Sequence, residues 1–450
     1  MSASYGPSWL VGKGEFQPVM QLQFDRCGGK TLAGVQRFGA VVGLSVLLLG
    51  PSLAIEEASG VSIGADEAIG TQYHIRVDDL PAPYATKSVG NRPVVIDRPA
   101  GAQLRVPEGF EVSLFADGLQ HPRGMVVAPD GAVFLTEANV GRVTRLVDQD
   151  GDGRVDTKTV FARDFRLPSG IAIHEGDLYI ADERAVWWLG ALEGREAAEG
   201  RRPITRAGAL GDAGGHWTRM LKFSPDGKSF FVSVGSESNV SEEPKPRATI
   251  QRFDLESGAQ KVYASGLRNP VGLAFYPESD RLFTVVNERD GLGDNLVPDF
   301  LTEVTEDGFY GWPYAYLGAN ADPKFGDIRP DLVATTLEPD VLLAAHSAAL
   351  DLVFYDGEQF PEDYLGDAFV AFHGSWNASV PTGYKVVRVH FENGEPVGSY
   401  ETFVAGFWTE GETPARVWGR PAGLALTQEG HLLIADDEGG TIWRVSWAGD

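Results

Sequence analysis

The sequence has 450 residues, of which 43% are hydrophobic and 10% aromatic, and it contains 55 glycines and 27 prolines. This apolar content excludes an intrinsically disordered chain, and the many turn formers and aromatic residues indicate short strands. The formal net charge of -25 argues against nucleic acid as a partner and against an anionic membrane surface, because both require basic residues.

Cys27 is the single cysteine of the sequence. No disulfide can therefore form within the chain, and neither a haem-attachment motif nor a cysteine–histidine zinc pattern is present. Any redox chemistry would require a bound cofactor that is not held by thiolates.

The N-terminal region resembles a secretory signal. Residues 38–50 form the apolar run FGAVVGLSVLLLG, basic residues precede it, and small residues follow it at 52–54. The run is shorter than the roughly 20 apolar residues that span a membrane. We predict that residues 1–54 are a leader removed on export, so that the mature protein is periplasmic or secreted without stable membrane insertion. An uncleaved anchor is the alternative. Residues 55–108 are predicted to be an extended, proline-rich lead-in.

One pattern recurs six times in the remainder of the chain. A loop ends in a small residue, a short apolar strand follows, and a turn such as Pro-Asp-Gly leads into a second apolar strand. The six blocks begin at Pro122, Pro168, Arg219, Asn269, Ala348 and Arg420. Antiparallel repeats of about 40–50 residues predict an all-β, six-bladed β-propeller over residues 109–450. The strand at 109–115 precedes the first block, and we expect it to complete the last blade and close the ring.

Polar residues occupy the loop ends that precede the inner strands, where a propeller binds its ligands. His216 follows two glycines and has the chemistry of a general base, although a structural histidine explains its position equally simply. Arg268 and Asn269 open the fourth block with a guanidinium fork and an amide. A salt bridge that caps the blade is the alternative role for this arginine.

Two segments are rich in oxygen ligands, which hard cations such as calcium prefer. The first is 287–295, NERDGLGDN, which contains Asp290 and Gly291; a solvated acidic loop is the alternative. In the second segment, Asp148, Asp150 and Asp152 alternate as at the start of an EF-hand loop. The closing glutamate is missing there, so a structural calcium site and a tight acidic turn are both open.

Further polar and aromatic residues lie at loop ends late in the chain. They are His346, Trp376, Asn377, Arg416 and Arg420. Arginines there would neutralise the carboxylates of an anionic cofactor, and the tryptophan could stack on a flat ring, although blade packing is the usual role of such a residue.

An ordered set of segments resembles the soluble glucose and sorbosone dehydrogenases that depend on pyrroloquinoline quinone (PQQ). The segments are HWTR (216–219), GLRNPVGLAF (266–275), NERDGLGDN (287–295), GFYGWP (308–313) and GRPAGLAL (420–427). The resemblance extends over residues 109–447 and implies a six-bladed propeller with PQQ on the channel axis.

The resemblance also implies roles for individual residues. His216 falls on the catalytic base of the family, and Arg268 and Asn269 fall on the pair beside the quinone. The backbone carbonyls of Asp290 and Gly291 fall on the ligands of the cofactor calcium. His346, Trp376, Asn377, Arg416 and Arg420 complete the expected cofactor site. The sequence departs from the family pattern at Ala378, where related sequences carry a basic residue.

The expected function is oxidation of a sugar or sugar aldehyde, dependent on PQQ and calcium, by hydride transfer to the quinone. The electrons would pass to a separate acceptor such as a cytochrome or quinone. One alternative is a calcium-dependent propeller lactonase or other hydrolase, which would hold calcium with carboxylate side chains at the channel centre. The other is a non-catalytic sugar-binding propeller that has lost the cofactor.

Overall fold

The computed structural model describes residues 68–449. The predicted leader at 1–54 and the start of the predicted lead-in lie outside the described residues. The described chain opens with the strands β1 (Gln72–Tyr73), β2 (Val94–Val95) and β3 (Phe110–Ala116).

Six antiparallel sheets form the blades, of which five have four strands and the fifth blade has β1 as an additional strand at its edge. The first contains β4 (Pro122–Val127), β5 (Val133–Glu137), β6 (Arg142–Val147) and β7 (Thr157–Ala162). The second contains β8 (Gly170–His174), β9 (Asp177–Ala181), β10 (Val186–Ala191) and β11 (Arg202–Pro203). The third contains β12 (Leu221–Phe223), β13 (Ser229–Val234), β14 (Thr249–Asp254) and β15 (Gln260–Ser265).

The fourth blade is interrupted by a small hairpin and a short helix. Its chain order is β16 (Pro270–Phe275), β17 (Leu282–Val286), β18 (Pro298–Glu303), the hairpin β19 (Ala315–Tyr316) and β20 (Asn320–Ala321), α1 (Pro330–Val333) and β21 (Val341–Ala345).

The fifth blade contains β22 (Ala349–Phe354), β23 (Ala368–Phe372), β24 (Lys385–Glu392) and β25 (Glu395–Val404). The strands β26 (Trp408–Glu410) and β27 (Arg416–Val417) lead to the sixth blade, with β28 (Pro421–Leu426), β29 (Leu432–Asp436) and β30 (Thr441–Trp447). Single 3-10 turns lie at Val77–Asp79, Ala138–Val140, Gly326–Ile328 and Glu362–Tyr364.

The prediction that an early strand closes the ring is confirmed. Strand β3 pairs antiparallel with β30, with Val112 opposite Val445, and so supplies the fourth strand of the last blade. The lead-in also pairs with late strands, because β1 adds to the edge of β25 and β2 runs parallel to β27. Backbone hydrogen bonds therefore fasten the first strands of the described residues to strands of the fifth blade and of the segment that leads to the sixth.

The innermost strands form a closed cycle. Each of β4, β8, β12, β16, β22 and β28 contacts the next one, and β28 returns to β4. Glycines allow this close approach: a Cβ on Gly423 would lie 1.9 Å from the carbonyl oxygen of Arg123, and one on Gly170 would lie 2.3 Å from that of Arg219. The recurring glycine of the sequence blocks is thus the residue that packs blade against blade.

The hydrophobic core is divided among the gaps between neighbouring blades. Met125 and Leu135 of the first blade share one apolar cluster with Leu433 of the sixth, and Phe134 of the first blade shares another with Ile180 of the second. The apolar side chains therefore pack between neighbouring sheets, whereas the polar residues at the loop ends face the channel.

Candidate active site

A cavity of about 400 Å³ opens at one end of the channel. Its walls come from the loop before β12, the loop before β16, the loop after β17 and the loop after β23, so they meet only because the ring is closed. The lining includes Arg123, His216, Trp217, Arg268, Asn269, Asn287, Glu288, Asp290, Asp299, His346, His373, Trp376 and Asn377.

His216 is fixed by the neighbouring strand. Its backbone N–H and its Nδ1 lie 3.0 and 2.8 Å from the carbonyl oxygen of Ser236. A carbonyl only accepts hydrogen bonds, so Nδ1 carries the proton and Nε2 keeps a lone pair. Burial, reinforced by the positive charge of Arg268, lowers the pKa of His216 to about 3. The imidazole is therefore neutral at neutral pH, and no described residue bonds its Nε2.

The same serine joins His216 to the fourth blade. The Ser236 N–H donates to the carbonyl oxygen of Arg268 at 2.7 Å. Before it, Gly235 lies so close to both loops that an added Cβ would stand 2.4 Å from Asn269 Oδ1 and 2.6 Å from His216 Cβ. A side chain at this position would push the histidine and the asparagine apart, so the glycine holds the two loops together.

The Arg268 guanidinium is held on several sides. Its Nη1 donates to the carbonyl oxygens of Asn287 and Glu288 at 3.2 and 2.9 Å, and its Nε donates to that of Asn239 at 3.1 Å. The Asp290 carboxylate lies 3.7 Å away. The arginine is 7% exposed, so its charge acts in a desolvated place where electrostatic effects are strong.

Asp290 is the centre of a second polar group. The Nδ1–H of His346 donates to its carboxylate at 3.1 Å, and the amide of Asn377 donates at 2.6 Å. Burial opposes ionisation of Asp290, but the His346 hydrogen bond and the Arg268 charge outweigh it and lower its pKa. For His346, burial alone would lower the pKa, whereas the hydrogen bond to Asp290 raises it. Each of the two shifts favours the charged form of its group, so the contact stabilises an ion pair between His346 and Asp290.

Two further acids are buried beside this group. Burial raises the pKa of Glu288 to about 7 and that of Asp299 to about 6. Asp299 accepts hydrogen bonds from the backbone of Glu288 and Ala348 at 2.9 and 2.8 Å. It therefore ties the loop after β17 to the loop before β22.

Several buried polar atoms of the lining have no hydrogen-bond partner among residues 68–449. They are Asn269 Oδ1, Glu288 Oε1 and His346 Nε2. Unpaired buried polar atoms are costly, and their concentration in one cavity is typical of a site that holds a polar ligand or an ion.

The structure brings most of the predicted site residues together. His216, Arg268, Asn269, His346, Trp376 and Asn377 all line the cavity, as does Asp290. Arg420 lies behind the wall, where it donates to the carbonyl oxygens of His373 and Gly374 at 2.8 and 2.7 Å. Arg416 lies outside the cavity on β27 and pairs with Glu410 at 2.9 Å on the surface, because the turn between β26 and β27 directs it away.

The predicted calcium ligands are placed differently from the expectation. The backbone carbonyl of Asp290 accepts hydrogen bonds from Asn239 Nδ2 at 2.9 Å and from the Arg289 guanidinium at 3.1 Å, and Gly291 is not among the lining residues. In the β6–β7 loop, ligand atoms of Asp148 and Asp150 lie within 4.8 Å of each other and of Asp156. Asp152 is outside that group, and its carboxylate accepts the N–H of Arg154.

Sequence reasoning did not select Arg123, Trp217, His373 or Asp437 as site residues. The His373 Nε2–H and the Arg123 Nη1–H both donate to Asp437, each at 2.8 Å. A signal was available in the repeats: an acid lies at the end of the second strand of several blocks or directly after it, at Glu137, Asp182 and Asp437, and all three are buried. An acid that ends a buried strand needs a partner, and Arg123 is the partner here.

A family model described as TrAA12-like matches residues 104–306 and 332–448. The chain belongs to this family. It is the family of soluble PQQ-dependent glucose/sorbosone dehydrogenases that the sequence motifs indicated, so the predicted membership is confirmed.

Relatives agree with this membership. An uncharacterised protein of Borreliella burgdorferi is 29% identical over 354 residues, covering 76% of this chain and 90% of that protein. A PQQ-dependent pyranose dehydrogenase of Coprinopsis cinerea is 25% identical over 407 residues, covering 76% of this chain and 54% of that protein, so the chain spans about half of its length. The aldose sugar dehydrogenase YliI of Escherichia coli is 31% identical over 278 residues, covering 58% of this chain and 65% of that protein.

Solved structures show the same fold. The PQQ domain of the Coprinopsis cinerea pyranose dehydrogenase, in its holo form, superposes with a TM-score of 0.66 at 21% identity, covering 79% of this chain and 99% of that one. The PQQ-bound aldose sugar dehydrogenase of Streptomyces coelicolor superposes with a TM-score of 0.53 at 18% identity, covering 76% and 99%. The predicted six-bladed β-propeller is therefore confirmed. Within residues 68–449, no helix is long and apolar enough to cross a membrane.

Proposed function

We propose that this protein is a PQQ- and calcium-dependent dehydrogenase that oxidises a sugar or a sugar aldehyde. The observation that carries the proposal is the combination of a neutral His216, whose Nε2 is unpaired, with the buried Arg268 guanidinium in one cavity. A proton acceptor beside a fixed positive charge suits the oxidation of an alcohol, in which the hydroxyl group loses a proton to the base and the carbon loses a hydride to the cofactor.

The residues present are compatible with PQQ, which is a flat ring system with three carboxylates. Arg268 and Arg123 supply guanidinium groups that suit carboxylates, and Trp217 and Trp376 supply flat apolar faces. When bound, this cofactor would supply the two-electron acceptor, while the protein supplies orientation and charge.

Calcium would find its oxygen ligands in the same place. The unpaired Asn269 Oδ1 and Glu288 Oε1 both line the cavity, and the Asp290 carboxylate is ionised. These are the hard ligands that calcium prefers. Because the Asp290 carbonyl is already bonded to Asn239 and Arg289, these side-chain oxygens are the better candidates for the cation.

The chain's own residues account for the movement of the proton. The His216 Nε2 accepts the hydroxyl proton of the substrate, and the Ser236 carbonyl keeps the ring in the required tautomer throughout. Arg268 stabilises negative charge that develops on oxygen during the reaction, and its backbone hydrogen bonds prevent it from moving away.

The hydrolase alternative needs a metal bound by several side chains at the channel centre. Among residues 68–449, only Asp148, Asp150 and Asp156 bring three carboxylate or histidine ligand atoms within 4.8 Å of one another. That group lies in the β6–β7 loop, outside the cavity. The lining instead combines arginines, histidines and unpaired oxygens, which suits an anionic cofactor with a cation beside it.

The proposal is tested by adding PQQ and calcium to the purified protein. We expect a change in the PQQ absorption spectrum on binding, and dye reduction with a panel that contains glucose and sorbosone. Chelation of calcium should abolish dye reduction. Lactone hydrolysis without dye reduction would favour the hydrolase, and sugar binding without either activity would favour the non-catalytic propeller.

We also propose that the protein works after export and passes its electrons to a separate acceptor such as a cytochrome or quinone. The support is the apolar run at 38–50 and the lack of a haem-attachment motif. Expression of the full chain in a bacterial host, with N-terminal sequencing of the periplasmic fraction, should show cleavage close to residue 54. Retention in the cytoplasm at full length would contradict export.

A further inference from the structure

The wall of the cavity contains an arginine, Arg123, that is held in place by a neighbouring acid and a neighbouring tryptophan. Arg123 begins β4, is 7% exposed and lines the cavity. One of its nitrogens, Nη1, donates to Asp437 at 2.8 Å, and its guanidinium carbon lies 5.0 Å from the centre of the Trp217 ring. These two contacts hold a side chain that would otherwise have many conformations.

Asp437 lies behind the wall of the cavity and holds Arg123 and His373 in place. It is 3% exposed and accepts hydrogen bonds from Arg123 and from His373 Nε2, both at 2.8 Å, while His121 Nε2 lies 3.4 Å away. Burial, together with the charge of Arg420, lowers the pKa of His373 to about 4, so this histidine is neutral. The ionised Asp437 is therefore paired with one formal charge, that of Arg123.

Arg420 lies behind the same wall. Its side chain donates only to the backbone carbonyls of His373 and Gly374 and has no ion pair with any acid in the described part of the chain. Burial lowers the pKa of Arg420, and the negative charges of Asp437 and Glu438 partly oppose this effect. The neighbouring Asp436 is buried, which raises its pKa to about 7.

The remaining N–H groups of Arg123 are available. No residue among 68–449 accepts a hydrogen bond from its Nε or Nη2. Neither nitrogen is one of the fully buried polar atoms that lack a hydrogen-bond partner, so both can be reached from the cavity. A guanidinium that lines a cavity with free, parallel N–H groups matches the two oxygens of a carboxylate.

We propose that Arg123, positioned by Asp437, is an anion-binding residue that takes a carboxylate of the molecule bound in the cavity. The carboxylate belongs either to the cofactor or to an acidic sugar. The choice between these two sources rests on the proposed function, whereas the anion site rests on the geometry of Arg123, Asp437 and Trp217.

The test measures binding, without turnover, by isothermal titration calorimetry of the whole protein. The two probes are trimesate, a flat benzene tricarboxylate with no redox chemistry, and PQQ with calcium. Arg123→Gln should weaken at least one of them by about 10- to 100-fold, the effect of losing a charge-assisted hydrogen bond. Arg142→Gln is the matched control, because Arg142 lies in the same blade and also pairs with a buried acid, Glu137, but is outside the cavity.

Two further variants keep the test decisive if Arg123→Gln does not fold. Arg123→Lys retains the charge next to Asp437 but loses the planar fork, so it should also weaken binding. Asp437→Asn retains an acceptor for Arg123 but removes the charge that positions it, and should weaken the carboxylate probes while binding of glucose is unchanged. Affinities equal to those of the unmodified protein in Arg123→Gln or Arg123→Lys would overturn the proposal.

The results also separate the two sources and the two proposals. Weaker PQQ binding in Arg123→Gln assigns the cofactor carboxylate. Unchanged PQQ binding, with a KM that rises for glucuronate but not for glucose, assigns the substrate carboxylate. If the unmodified protein binds trimesate through Arg123 but does not bind PQQ, the anion site stands and the proposed redox function falls.

Discussion

The carbonyl oxygen of Ser236 accepts hydrogen bonds from both nitrogens that His216 presents to it, the backbone N–H at 3.0 Å and Nδ1 at 2.8 Å. This relationship selects one tautomer of the imidazole and leaves Nε2 as a proton acceptor. Because Ser236 also donates to the Arg268 carbonyl oxygen, the base and the positive charge are positioned by one residue of the third blade.

The first prediction concerns His216 as the base. His216→Gln keeps a side chain of similar size and polarity but removes the proton acceptor, and it should lower kcat by roughly 100- to 10,000-fold, the usual contribution of a positioned base. Binding of PQQ, followed by its absorption spectrum, should be unchanged. Dye reduction under saturating substrate measures the effect.

His431→Gln is the control for that experiment. His431 contacts Arg444 at 3.2 Å in the sixth blade and does not line the cavity. We expect its turnover to equal that of the unmodified protein. Full activity of His216→Gln would remove this residue from the mechanism and leave the neutral His373 as the histidine to be tested next.

The second prediction concerns the stability cost of Glu288. Its pKa is raised by burial to about 7, so the folded protein binds its proton more tightly than the unfolded chain does. Stability is therefore lost as pH rises from the unfolded value near 4.5 towards 7. Glu288→Gln should be more stable than the unmodified protein by about 1–3 kcal/mol at pH 8 and equally stable at pH 4.5. Urea denaturation at both values measures this.

An exposed glutamate provides the comparison. Glu358→Gln changes the same chemical group on the surface, and its effect should be close to zero at both pH values. Equal stabilities of Glu288→Gln and the unmodified protein at pH 8 would show that this carboxyl is not held in a costly environment.

The third prediction concerns Asp437, whose pKa shifts in the opposite direction. Burial by itself would raise this pKa, but the hydrogen bond from His373 and the positive charge of Arg123 outweigh burial and hold it well below the usual range. Its contribution to stability is therefore full above the unfolded pKa of about 3.9 and is lost as pH falls below that value. Asp437→Asn should be destabilised at pH 7, and its difference from the unmodified protein should shrink below about pH 4. A difference independent of pH would contradict an ionised Asp437.

The fourth prediction concerns ring closure. A Cβ on Gly423 would lie 1.9 Å from the carbonyl oxygen of Arg123 in the first blade, so Gly423→Ala should force the sixth and first blades apart. We expect a loss of about 1–3 kcal/mol or more in the free energy of unfolding. Gly200→Ala is the control, because nothing lies within 4 Å of its added Cβ. Thermal unfolding followed by circular dichroism compares the two, and equal midpoints would contradict the close approach.

The blades were predictable because their information is local. Each block carries its own apolar strands and turn, as in the Pro129–Gly131 turn, where Asp130 accepts the N–H of Ala132 at 3.1 Å. The closing strand at 109–115 was also predictable, since a strand that precedes the first repeat can pair with the free edge of the last blade. The pairing of β1 and β2 with late strands was not predicted, because strands of two residues leave no periodic signal.

The site was predictable in part for the same reason. Motifs on inner loops identified His216, Arg268 and Asn269, because a residue at the end of an inner strand must lie near the channel. Arg416 was predicted to lie in the cofactor site but lies outside the cavity, where it pairs with Glu410 of the neighbouring strand.

The sequence by itself determined the repeat, the propeller, the family and part of the channel mouth, including His216, Arg268 and Asn269, since these follow from local patterns of apolar strands, turns and motifs. Only the tertiary structure decided that Ser236 selects the tautomer of His216, that Asp437 of the last blade holds Arg123 of the first, and that the Asp290 carbonyl is already bonded. The physical reason is that proton position, pKa and ion pairing depend on distances of a few ångströms and on burial, and both arise between residues that are far apart in the chain and meet only when the ring closes.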